Sequence, residues 1–213
     1  MTTTGTPGTS GRADANRRRI MQVAITELLR DQDASMDQIA RAAGVVRRTV
    51  YGHFPSRDAL ISALVDDAVA TVAEAHERGL AGAANAPEAL ARATLAAWEI
   101  ADRYRLLVAL AQRSVTMEGI KQRLAPVRKA ECDLLQQGID EGEFSSPLPA
   151  AALAYVQEQQ LFGLMEAVND GALPAKDAGR AAAVIALLTA GFGEQRARDL
   201  VAKLQPRDLA ASL

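Results

Sequence analysis

Between Ser35 and Leu60 the chain reads SMDQIARAAGVVRRTVYGHFPSRDAL, and this stretch leaves few ways to fold. Ser35, with Gln38 three residues on, makes a capping-box pattern that starts a helix. Met36, Ile39, Ala40 and Ala43 then fall on one helical stripe. Gly44 ends it, where a turn residue must often accept positive φ. A second short helix is expected from about Val46 to His53. It stops at Pro55, because the residue before a proline resists the helical region. Ser56 is positioned to cap a long helix over 57–78. Two short helices thus meet at one glycine, with small Ala40 and Ala43 where they cross, which is the logic of a helix-turn-helix.

Helical periodicity continues on both sides. Ile20, Ala24 and Leu28 repeat at four-residue steps, with Met21 and Ile25 beside them, predicting a helix from about Asp14 to Asp31. After a linker over 79–87, further helices are expected at roughly 87–101, 102–114, 117–141, 148–170, 177–192 and 195–204. Gly142, Pro147, Pro149, Gly171, Pro174, Gly191 and Gly193 punctuate them. No strand-like alternation competes. Hydrophobic residues make up 49% of the 213, and aromatics only 4%, so the core must be built mainly from Ala and Leu, both good helix formers. The expected fold class is all-α. A disordered tail (1–14) precedes a three-helix helix-turn-helix domain (15–62), and a C-terminal helical ligand-binding and dimerisation domain follows (63–213).

Charge distinguishes the two parts. Residues 1–60 carry nine Arg and six Asp or Glu, leaving fifteen basic and twenty acidic residues for the rest. A basic front on an acidic body suits a polyanionic partner at the front. On the second short helix, Val46, Val50 and Phe54 point one way, and Arg47, Arg48, Tyr51 and Gly52 the other. Arg47 and Arg48 stand in the first turn, where the helix dipole disfavours cations, and Arg57 does the same in the next helix. Phosphate would reverse the sign of that penalty. Arg is also the commonest reader of guanine O6 and N7. Arg47 and Arg48 are therefore the candidate base readers. Thr49, Tyr51, His53 and Arg57 are the candidate phosphate contacts, with Gly52 permitting close approach. Ser35, at the front of the preceding helix, is a further candidate DNA contact, and Arg17, Arg18 and Arg19 offer further backbone contacts.

The run IARAAGVVRRTVYGHFPSRDAL, residues 39–60, resembles the DNA-binding domain of the tetracycline-repressor (TetR) family, and the likeness extends from Ile20 to about Val65. It rests on the Ala-Gly-Val turn, the Thr49-x-Tyr51-x-His53-Phe54 core and the basic Arg57, where the family often has Lys. The family usually has Ser or Thr at position 46. Val46 cannot cap the helix through its side chain, so it is expected either to gain by packing or to leave the helix start frayed. Beyond residue 65 the resemblance is weaker, carried by Asp-Glu-Gly-Glu-Phe at 140–144 and Leu-Leu-Thr-Ala-Gly-Phe-Gly at 187–193. The resemblance implies an Ω-shaped homodimer on a palindromic operator in double-stranded DNA. It also implies a small-molecule effector whose pocket biases the spacing of the two reading heads.

The residues themselves add two arguments. One helix-turn-helix reads few base pairs, and a dimer doubles the site; Ala150–Val168 and Ala178–Phe192 are apolar on more than one stripe and could bury a partner or a core. Trp98, Tyr104, Arg113, Met117, Tyr155, Gln157, Glu158, Phe162 and Met165 are the bulky or polar residues among small ones. That set describes a ligand pocket and equally an ordinary core. His76 is expected on a helix surface and Cys132 as a small helix residue. With two His and one Cys no zinc spacing exists, and no metal or cofactor is expected. No Gly-rich phosphate loop, G-x-S-x-G elbow or H-E-x-x-H occurs, which disfavours an enzyme; a DNA-binding dimer without an effector stays open. A lone cysteine, no signal-peptide apolar segment and no apolar run near ~20 residues point to the cytoplasm rather than a membrane.

Overall fold

The computed structural model describes residues 9–111 and 117–204, with the side chains of 9–10, 106–111 and 117 left aside. The described residues form α-helices and no strand: α1 (Thr9–Arg30), α2 (Met36–Ala42), α3 (Arg47–His53), α4 (Arg57–Leu80), α5 (Ala86–Ala111), α6 (Met117–Arg123), α7 (Ala125–Asp140), α8 (Ala150–Asn169), α9 (Ala175–Thr189) and α10 (Glu194–Lys203). The described parts group into two compact units, one of residues 9–66 with 106–111 and 117, the other of residues 67–105 with 118–204.

In the first unit α1 packs on α2 and α3, and α2 on α3. Ile20, Ala24 and Leu28 of α1, Ile39, Ala40 and Ala43 of the α2 segment, Val50 and Phe54 of the α3 segment, and Leu60, Ile61 and Leu64 of α4 are all buried. These are the apolar stripes read from the sequence. The Ser35 capping box is present, with Gln38 N–H donating to Ser35 Oγ (3.3 Å) and Ser35 N–H to Gln38 Oε1 (2.7 Å). Ser56 Oγ accepts from the Ala59 N–H at 3.1 Å and so caps α4.

The second unit is built on alanine. Ala89, Ala91, Ala150, Ala154, Ala183, Ala186 and Ala197 sit in one core with Leu90, Leu135, Leu153, Leu187 and Phe144. Such small side chains let helices approach closely. α7 packs on α8, α8 on α9, and α9 on α10. After α7 the chain turns through Gly142 (φ +73), and the Glu143 and Phe144 amides both donate to the Gly138 carbonyl. That turn folds the Phe144 ring onto Gly138, whose missing Cβ makes room for it.

Several boundaries differ from expectation. α1 begins at Thr9, not near Asp14, so the helix takes in residues expected in the tail; Arg12, Ala13 and Ala15 are good helix formers that need no core to be helical. Residues 87–101 and 102–114 were expected as two helices, but one helix runs to Ala111, because neither Gly nor Pro interrupts it. The helix expected over 117–141 breaks instead at Leu124 into α6 and α7. Pro126 is the cause: it has no N–H to give to the preceding turn. His76 is not on a surface. It is buried, with its Nε2 2.6 Å from Glu131 Oε2, a hydrogen-bonding partner from α7 that α4's own sequence could not announce.

Candidate nucleic-acid interface

The α2–turn–α3 segment is held from below. Ala43 N–H donates to Ile39 O, and Val45 N–H to Ala40 O. Between them Gly44 takes φ +64, a left-handed conformation that L side chains resist. Arg19 Nη2 would lie 3.1 Å from any Cβ added there. Arg17 lays its guanidinium over the Phe54 ring at 4.7 Å, tying α1 to the end of α3.

With Val50 and Phe54 buried, α3 turns its opposite side outward. Arg47, Arg48, Tyr51 and Gly52 are exposed, and Thr49 and His53 are half-buried. The four residues expected to share that side therefore do so. Arg47 Nη1 donates to Asp37 Oδ2 at 2.8 Å, its Nη2 to Tyr51 Oη at 3.3 Å, and its guanidinium lies 5.1 Å from the Tyr51 ring centre. The Arg47 side chain nonetheless keeps 65% of its surface in solvent. Arg48 has no ionic partner among the described residues.

Other candidates are committed inward. Arg57 donates to the Gln32 carbonyl and, from Nε at 3.4 Å, to the Ala34 carbonyl, bracing the α1–α2 loop; three of its five N–H groups remain. Ser35 is exposed but engaged in its capping box. Val46 departs from expectation. It is the N-cap residue of α3, it makes no side-chain cap, and it is 70% exposed, so the alternative of a gain by packing is not realised. Its position at the tip of the turn, ahead of the buried stripe, puts it beyond reach of the core. Asp37 escaped the sequence reading altogether. It stands ten residues before Arg47, across the turn, where no local periodicity links the two.

The structure brings only some of the expected pocket residues into one apolar cluster among the described residues. Trp98, Phe162 and Met165 share an apolar cluster with Ala178 and Ala182, and Gly179 lies flat against the Trp98 ring, where a Cβ would come within 2.8 Å of Cδ1. Tyr104 is buried elsewhere, its hydroxyl on Asp67; burial first, and then that carboxylate, raise its pKa above 10.0. Glu158 pairs with Arg128, whose guanidinium covers the Tyr155 ring at 4.3 Å and donates to the Lys121 carbonyl at 3.2 Å. Gln157 is buried against the Ala186 carbonyl at 3.0 Å. Arg113 lies outside the described residues, as does the Met117 side chain. An open groove between the α4–α5 loop and α7, lined by Ala83, Ala89, Leu134 and Gln137, contains none of these residues.

Residues 29–64 match the family model described as bacterial regulatory proteins, tetR family. No curated protein matches the chain significantly. Among solved structures, the fatty acid degradation regulator FadR from Bacillus halodurans aligns with a TM-score of 0.71 at 17% identity, over 89% of this chain and 97% of its own. The TetR-like transcriptional regulator LfrR from Mycobacterium smegmatis, in complex with proflavine, aligns at 0.64 and 22% identity, over 83% and 96%. RolR, in complex with resorcinol, aligns at 0.59 and 19% identity, over 92% and 98%. The described residues thus share the all-helical fold of these regulators, and residues 29–64 match the tetR family model. No helix among the described residues is long and apolar enough to cross a membrane.

Proposed function

We propose that this chain is a TetR-family repressor that acts in the cytoplasm as a homodimer. Each protomer lays α3 in the major groove of one half of a palindromic operator, and a small molecule releases the dimer from DNA. One observation carries the reading: Arg47, Arg48 and Tyr51 form an exposed cationic edge on a helix whose other side, Val50 and Phe54, is anchored in the core. The Asp37 contact does not hide that edge, since the Arg47 side chain stays 65% exposed. In this reading Arg47 and Arg48 face base edges. Thr49, Tyr51 and His53 face phosphates, Gly52 lets the backbone come close, and Arg57, Arg17 and Ser35 hold the frame while lending what donors they have left.

The effector half of the proposal draws on LfrR and RolR, whose structures hold proflavine and resorcinol. By analogy, the effector of this chain is an aromatic compound entering the second unit at the Trp98, Phe162 and Met165 cluster. It releases DNA only if it binds the DNA-incompetent spacing of the heads more tightly.

Titrating a palindromic operator fragment at several salt concentrations is the direct test. A protein neutralising several phosphates loses affinity steeply with salt, and Arg47→Ala with Arg48→Ala should abolish binding in a protein that stays folded. A salt slope near zero, or an unaffected double mutant, would overturn the reading.

A further inference from the structure

The contact of Asp37 with Arg47 is poorly explained by stability or by net charge. Asp37 Oδ2 meets the exposed Arg47, and Asp37 Oδ1 is buried with no hydrogen-bond partner. Exposed ion pairs contribute little to folding, and a carboxylate beside a surface that receives a polyanion opposes the approach of that partner. The pair does something else. It holds a long side chain in one pose, with Tyr51 as second and third contact through its hydroxyl and its ring. Two of the five Arg47 N–H groups are spent this way, and three remain, enough for a two-pronged contact. The neighbouring Arg48, also exposed, has no such hold among the described residues.

We propose that Asp37 is a positioning residue for DNA readout: with Tyr51 it fixes the Arg47 guanidinium so that Arg47 reads a single guanine. This rests on the DNA-binding reading above. A planar fork held before binding loses less freedom on docking, and it reaches one base edge rather than several. Guanine, with O6 and N7 side by side in the major groove, is the base whose acceptors match it. Asp37 also stands in the first turn of α2, where a carboxylate favours the helix; that role would alter stability and not base discrimination.

The test is a double-mutant cycle on discrimination. Duplexes enriched by the wild-type protein from a randomised pool serve as the probe, against a scrambled duplex of equal length. Asp37→Asn should lower the affinity ratio between the two by on the order of tenfold, with binding to the scrambled duplex unchanged or tighter. Arg47→Ala should lower the ratio comparably, and the double mutant no further. Asp37→Ser, small and neutral, should repeat the Asp37→Asn result, so that a misfolding variant is recognised by melting and replaced. An undiminished ratio in folded Asp37 variants, or losses that multiply in the double mutant, would overturn the proposal. A pool from which the wild type enriches nothing would remove the DNA-binding reading itself, and this one with it.

Discussion

Val46 shows how a single position can run against its own helix. It occupies the N-cap of α3 with an extended backbone (φ −76, ψ 150) but offers no oxygen to the free amides beyond it. The Thr49 amide settles for the Val46 carbonyl at 2.9 Å, a tight one-turn closure. Because the side chain is mostly exposed, replacing it removes almost no packing. Val46→Ser should therefore stabilise the protein by about 1 kcal/mol through a restored cap, read as a higher urea midpoint with an unchanged slope. A lower midpoint would mean that Val46 makes a contact absent from this structure. His76 teaches the opposite lesson. Its sequence neighbours gave no sign of its partner, a carboxylate 55 residues away.

At the scale of the helix, periodicity and punctuation located most elements, and the errors trace to particular residues. The α2 and α3 boundaries were legible because Ser35, Gly44 and Pro55 each impose a backbone requirement that acts locally. The division at Leu124 is equally local, through Pro126. Close approach of two helices is different, because no single segment encodes it. Gly79 in α4 faces the α5 backbone so tightly that an added Cβ would lie 2.5 Å from Ala93 Cα. Helix propensity alone favours alanine at such a site by about 1 kcal/mol. Overpacking against backbone costs about 1–3 kcal/mol and cannot be relieved by a rotamer change. Gly79→Ala should thus be a net destabilisation of up to about 2 kcal/mol in chemical unfolding; a stabilised variant would show that the helices separate freely.

At the scale of the whole protein, Tyr155, Val156 and Leu188 stay exposed on α8 and α9, apolar surface suited to a second copy. If the protein is a homodimer, its melting temperature rises with protein concentration by mass action, and Leu188→Glu lowers the mass in solution to that of one chain. A melting temperature independent of concentration, with a monomeric mass for the wild type, would exclude it.

The helical class, the helix-turn-helix and its outward-facing arginines were written in the sequence alone, because caps, turns and one-sided apolar stripes act over a few residues. Asp37 beside Arg47, Glu131 against His76, and Trp98 with Phe162 and Met165 depended on tertiary structure. Each joins residues from separate helices, and which helices meet is settled by packing across the core rather than by any local spacing.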